Sequence, residues 1–155
     1  SFGQGALTVT PLQITAMMNT AADGGVYKAP AFVQGITDAD GTLTEPLTPA
    51  VPRTVLDKAT ARVLRSMLES VVTDGIGSEA RPGEGTAGGK TGTAQTGQYN
   101  AEGEELLNYW FSGFYPAEAP RYTITILQDG ILKPETSSAA LFARVTEILR
   151  VWEGG

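Results

Sequence analysis

Apolar residues recur every third or fourth position in three stretches of the chain and every second position in others, and that period predicts the elements. Ile14, Met17, Met18, Ala21 and Ala22 follow Thr10-Pro11-Leu12-Gln13, a capping box with proline at the first helical position. With Asp23-Gly24-Gly25 as the stop, the spacing predicts a helix over 11–22. A second stripe, Leu56, Ala59, Val63, Leu64, Met67, Leu68, Val71 and Val72, follows Thr54, which has Asp57 three positions on as a weaker relative of the capping box. It predicts a helix starting from Thr54, running to about Val72 and ending at Asp74-Gly75. Between the two, Tyr27 to Pro52 holds Pro30, Pro46, Pro49 and Pro52, a short alternating run from Phe32 to Ile36 and a turn at Asp40-Gly41. This reads as a small hairpin or irregular excursion.

The second half changes period. After a polar loop from Ser78 to Ala87, residues 86–97 are small, polar and extended in character, and are expected to form a strand despite their glycines. Glu102 to Glu105 reads as an acidic solvated loop. Tyr109 to Tyr115, closed by Pro116, reads as an aromatic strand, and Tyr122 to Leu127 alternates with high β propensity, so the two predict an antiparallel hairpin. Thr136-Ser137-Ser138 offers caps to a final helix whose face is Leu141, Val145, Ile148, Leu149 and Trp152. A three-stranded meander covered by helices is an α+β fold, expected in two layers with the last helix as the cover. Trp110, Phe111, Phe114, Met17 and Met18 are read as core.

Composition narrows the chemistry. In 155 residues there is no His and no Cys, which removes thiol catalysis, a zinc site with ordinary ligands and any His-based general base. Whatever chemistry exists uses Lys, Ser, Thr, Tyr or carboxylates; no metal and no cofactor is expected. The net charge of −6, with no basic cluster, argues against nucleic acid. No run approaches the roughly 20 apolar residues of a spanning helix, which predicts a soluble chain. An export or anchor segment, if the protein has one, is expected outside this sequence.

One strand carries candidate chemistry. In Lys90-Thr91-Gly92-Thr93, preceded by Ala87-Gly88-Gly89, a period of two puts Gly88, Lys90 and Gly92 on one face, so the lysine stands between two bare positions. Small-residue strands let another backbone approach and suit an extended peptide added at a sheet edge. Lysine offers a cationic tether and threonine hydroxyls offer donors to a carboxylate. The bland reading is an edge-strand lysine that blocks aggregation. Strict parity also places Thr91, Thr93 and Gln95 opposite Lys90, so both sets reach one substrate only if the strand is an edge, strongly twisted, or wrapped by the lysine. An edge is expected. Gln95 and Gly97 stand at the rim and are not counted as catalytic.

Gly89-Lys90-Thr91-Gly92-Thr93-Ala94-Gln95 resembles the third active-site motif of penicillin-binding protein transpeptidase domains, and Gly3-Gln4-Gly5 with Val9-Thr10-Pro11-Leu12-Gln13 resembles the segment upstream of it. Trp110 to Pro116, the alternating strand and the last helix look like the close of that domain, in its monofunctional, class B form. The resemblance implies a penicillin-binding protein transpeptidase and serine β-lactamase-like fold, of which three sheet strands are retained. It further implies serine acyl transfer on peptidoglycan stem peptides ending in D-Ala-D-Ala, binding of β-lactam antibiotics, and a parent enzyme at the extracytoplasmic face of the bacterial membrane. No serine here has Lys three residues on or Asn two residues on, so S-x-x-K and S-x-N are absent. Residues 1–155 are therefore expected to be the C-terminal portion of the domain, inactive alone, with the missing N-terminal half as a partner. By the resemblance Lys90 is catalytic, the backbone N–H of Thr93 is an oxyanion donor, and Thr91, Gly92 and Thr93 bind substrate. The strand 121–128 is expected to lose a neighbour and to offer an edge for a homodimer. Two alternatives stay open: a non-catalytic peptide-binding module, and a fragment of a serine β-lactamase or β-lactam sensor.

Overall fold

A computed structural model describes residues 7–154. Gly3-Gln4-Gly5 lies outside the described residues. Helix α1, Pro11–Ala22, begins as its capping box dictates: the Thr10 hydroxyl accepts from the Gln13 N–H, and the Gln13 side chain accepts from the Thr10 N–H. A two-stranded ladder follows, β1 (Val26–Tyr27) with β4 (Arg53–Thr54), and between them a hairpin of β2 (Gly35–Thr37) and β3 (Leu43–Pro46). Helix α2 is Lys58–Thr73, and a single 3₁₀ turn at Ser78–Ala80 follows it. The rest is a meander of β5 (Gly88–Tyr99), β6 (Glu105–Tyr115) and β7 (Tyr122–Ile131), then α3 (Ser138–Gly154).

The sheet is antiparallel in the order β5-β6-β7, so β5 and β7 are its edges among the described residues. The fold is α+β, with one correction to the expected two layers: helices lie on both faces of the sheet. Thr91 pairs with Phe111, whose ring meets Phe142 of α3 at 4.8 Å between centroids. Lys90 pairs with Ser112, whose hydroxyl is 2.8 Å from that of Thr125, and Thr125 in turn accepts from Thr15 of α1. The odd positions of β5 therefore face α3 and the even positions face α1. Two clusters form the core, one around Phe111, Phe142, Val72 and Ala139 and the other around Phe114, Met18 and Ala22. Helix α2 serves both, with Leu68 in the second and Val72 in the first. Its Arg65 donates to the Ala117 carbonyl at 2.5 Å and lies over the Phe114 ring, tying the β6–β7 turn to the helix.

Several expected boundaries shift. Thr54 does not cap α2; it belongs to β4, and Asp57 is the cap, its carboxylate accepting from the N–H groups of Ala59 and Thr60. A carboxylate that reaches two orphan amides is a better cap than a threonine three residues earlier. The strand expected over 86–97 runs 88–99, with a bulge between Gln95 and Gln98, and Glu105 belongs to β6 rather than to the acidic loop. Met18 is core, but Met17 is 60% exposed. The buried face of α3 is Ser138, Ala139, Phe142 and Thr146, so the expected stripe is turned by about one residue and leaves Ile148 and Trp152 in solvent.

Candidate active-site strand

The β5 strand owes its position to two glycines. A Cβ at Gly88 would stand 2.3 Å from the Phe114 ring, and one at Gly89 would stand 2.5 Å from the Phe111 ring. The bare positions before Lys90 are thus filled from β6 rather than left as cleared space around the lysine. At Gly92 the nearest atom to an added Cβ is the Trp110 Cβ at 3.4 Å, ordinary contact. Phe111 and Phe114 are fully buried, as the sequence reading expects, whereas Trp110, also read as core, is only half-buried.

The parity conflict between Lys90 and Thr91 resolves at the edge. Lys90 leaves the strand on the α1 face, yet its Nζ donates to the Thr91 carbonyl at 3.1 Å and lies 3.3 Å from the Thr91 hydroxyl. A flexible four-carbon stem makes that turn possible. Lys90 and Thr91 therefore present an ammonium and a hydroxyl together, from residues whose Cα–Cβ bonds point to opposite faces.

Beside them lies a cleft of about 170 Å³. Thr91, Gly92 and Thr93 of β5 and Tyr109 and Trp110 of β6 line its floor. Ile76 and Glu79, from the turn after α2, form one wall, and Pro134, Ser137 and Ser138, leading into α3, form the other. The walls are joined at the rim by a short hydrogen bond from the Ser137 hydroxyl to the Glu79 carboxylate. Ser138 is fixed from below, donating to the Tyr109 carbonyl at 2.9 Å and accepting from Gln128 at 3.0 Å.

Of the expected site residues, Thr91, Gly92 and Thr93 line the cleft, and Lys90 reaches Thr91 from beside it. Gln95 instead donates to Glu105 at 2.8 Å across the hairpin, and the Gly97 N–H donates to the same carboxylate, so both are used structurally. Glu79, Tyr109 and Pro134 are cleft residues that sequence reasoning missed. Ser137 and Ser138 were legible only as caps, a role Ser137 keeps by accepting from the Ala140 N–H. No spacing along the chain signals the others, because packing brings them together from three elements.

Residues 1–147 match the family model of the penicillin binding protein transpeptidase domain. The chain belongs to the penicillin-binding protein transpeptidase family. Penicillin-binding protein PbpB of Mycolicibacterium smegmatis is 38% identical to 95% of the chain, and stage V sporulation protein D of Bacillus subtilis is 34% identical to 83% of it. The chain spans only 24% and 20% of those two proteins, about a quarter or less of their length. Among solved structures, penicillin binding protein 3 of Mycobacterium tuberculosis superposes with a TM-score of 0.82 at 33% identity, over 98% of this chain and 37% of that one. That protein has also been solved complexed with aztreonam and with ampicillin. That likeness agrees with the expected family fold. No helix among the described residues of this transpeptidase-family chain is long and apolar enough to cross a membrane.

Proposed function

We propose that these 155 residues are the C-terminal portion of a class B penicillin-binding protein's transpeptidase domain, contributing the lysine strand to a serine D,D-transpeptidase. The observation that carries this reading is the joint presentation of the Lys90 ammonium and the Thr91 hydroxyl at the outer edge of β5, beside an open cleft. The nucleophilic serine and its lysine belong to the part of the protein outside this sequence, so the chain is inactive alone. In the complete enzyme the serine attacks the D-Ala-D-Ala carbonyl of a stem peptide and releases the terminal D-Ala. An amine of a neighbouring stem then takes the acyl group, closing the cross-link.

Lys90 supplies positive potential to the serine motifs and to the substrate carboxylate, and Thr91 and Thr93 bind that carboxylate. The Thr93 N–H is one of two oxyanion donors, a kind of interaction worth about 2.7–4 kcal/mol in the transition state. A β-lactam enters the same way and acylates the serine. The whole protein is anchored at the extracytoplasmic face of the bacterial membrane, where its substrate is. The outer edge of β7 has no strand neighbour among the described residues. The 155-residue chain by itself is therefore expected to self-associate through 121–128, and a monomer at high concentration in sedimentation would count against this.

The test is labelling of the complete gene product by a fluorescent penicillin. Covalent labelling that is abolished by replacing the S-x-x-K serine and strongly slowed by Lys90→Ala is expected. An upstream reading frame without S-x-x-K and S-x-N, or no labelling at all, overturns the assignment and leaves a peptide-binding strand. Rapid deacylation of the label would instead favour a serine β-lactamase.

A further inference from the structure

The cleft beside β5 has an acidic wall and a basic neighbour. Lys90 does not line it, but its ammonium lies against Thr91, which does. At the wall stands Glu79, whose contact among the described residues is the Ser137 hydroxyl; no lysine or arginine there forms an ion pair with it. Ser137 is itself held at the start of α3 by the Ala140 N–H at 3.1 Å. The carboxylate is thus positioned by a hydroxyl that orients it without neutralising its charge. The floor is uncharged: Thr91, Gly92 and Thr93 with Tyr109 and Trp110.

We propose that Glu79 determines specificity at this site, favouring peptides and β-lactams that carry an ammonium group on the portion lying in the cleft and disfavouring those that carry a carboxylate there. The inference rests on the transpeptidase reading, because that reading places the ligand's own carboxylate at Lys90, Thr91 and Thr93. With its carboxylate held there, a ligand that continues over the floor at Gly92 and Thr93 meets Glu79. About 170 Å³ is comparable to an engineered cavity of about 150 Å³ that admits benzene, room for a short substituent with its charge. An ammonium is a compact point charge with three donors and does not need the planar fork geometry an arginine would demand. Glu79 is solvent-exposed, so the discrimination is modest and sensitive to salt.

Ampicillin, benzylpenicillin and carbenicillin test this, since they differ at one carbon, which bears an ammonium, a hydrogen or a carboxylate. Second-order acylation rates are measured for the complete gene product and for Glu79→Gln, which keeps an acceptor for Ser137 and removes the charge. The ratio of ampicillin to carbenicillin rates is expected to fall about fivefold in the variant, the scale of a partly exposed ion pair, with benzylpenicillin little changed. Glu79→Lys is expected to invert the preference, and added salt to shrink the wild-type ratio. A ratio unchanged in both variants overturns the proposal. An equal loss with all three penicillins also overturns it, because Glu79 then supports the fold rather than reading charge. Failure of every penicillin to acylate the wild-type protein is a different result, which removes the transpeptidase reading and this inference with it.

Discussion

The meander and the β2–β3 hairpin are both antiparallel strands joined by turns, yet they end in opposite environments. Every residue of β6 from Phe111 to Tyr115 is buried, whereas β3 is exposed along its whole length and Ile36 of β2 is 58% exposed. The local signal is similar in the two, an alternating apolar run and a turn. What differs is cover. α3 packs on one face of the meander and α1 on the other, while the hairpin, set between prolines, packs mainly strand on strand and stays exposed. Alternation specifies a strand, but a second layer decides whether that strand carries stability.

The largest expected effect follows from removing the residue that joins sheet to helix. Phe111 is fully buried between Gly89 and Phe142, and Phe111→Ala should cost about 3–5 kcal/mol, as large-to-small core changes of aromatic residues do. Equilibrium unfolding in urea checks it; a loss under 1 kcal/mol would mean that the cover on this face contributes little.

Gly89→Ala attacks the same contact from the other side. Its Cβ would meet the Phe111 ring at 2.5 Å and the Ser112 carbonyl at 2.7 Å, and the second atom belongs to the backbone and cannot rotate away. A loss of about 1–3 kcal/mol is expected from overpacking, together with slower penicillin acylation of the complete protein, because Lys90 is the next residue. Normal stability with slow acylation would separate the placement of the strand from its stability and sharpen the account of why glycine stands there.

The meander, α1 and the Lys90–Thr93 run were legible because local physics suffices for them: a capping box, an aromatic alternation, a lysine among small residues. The edge position of β5 was inferred from the opposite parity of Lys90 and Thr91, and β5 is an edge of the sheet among the described residues. The cleft was not legible, since Glu79, Tyr109 and Ser138 are separated by tens of residues and meet only when α3 folds onto the sheet. The face of α3 was misjudged for a related reason. Leu141, Val145 and Ile148 are the larger apolar residues in sum, but the space over Phe111 is shaped for Ala139, Phe142 and Thr146, and packing overrode hydrophobicity. At the start of α2, Thr54 resembled a cap until tertiary pairing with Val26 took it into β4.

The Asp57 cap that replaces it gives a smaller, pH-dependent effect. Hydrogen bonds from the Thr60 hydroxyl and N–H, and from the Ala59 N–H, hold its pKa below the usual aspartate range. Because the folded-state pKa is depressed, the stabilisation is complete above the unfolded value near about 3.9 and is lost as pH falls through the lower folded value. The advantage of wild type over Asp57→Asn should therefore be constant near neutrality and shrink only below about pH 4. Urea midpoints of the two proteins, compared pH by pH, cancel the other carboxylates. A difference that already disappears near neutral pH would show that the charged cap is not its source.

The smallest effect is expected in the hairpin, and it is the control for the comparison as a whole. Ile36→Thr keeps a β-branched residue suited to a strand and removes apolar surface that is already 58% exposed. On so exposed a hairpin, little transfer free energy is at stake, and the change should stay within about 0.5 kcal/mol, as surface substitutions away from special features do. The same replacement at Ile126, which packs against the Phe111 cluster, should cost more, because cover is present there. If Ile36→Thr proved as costly as Ile126→Thr, the hairpin would have to bury its apolar side against something outside the described residues, and cover would no longer distinguish the two regions.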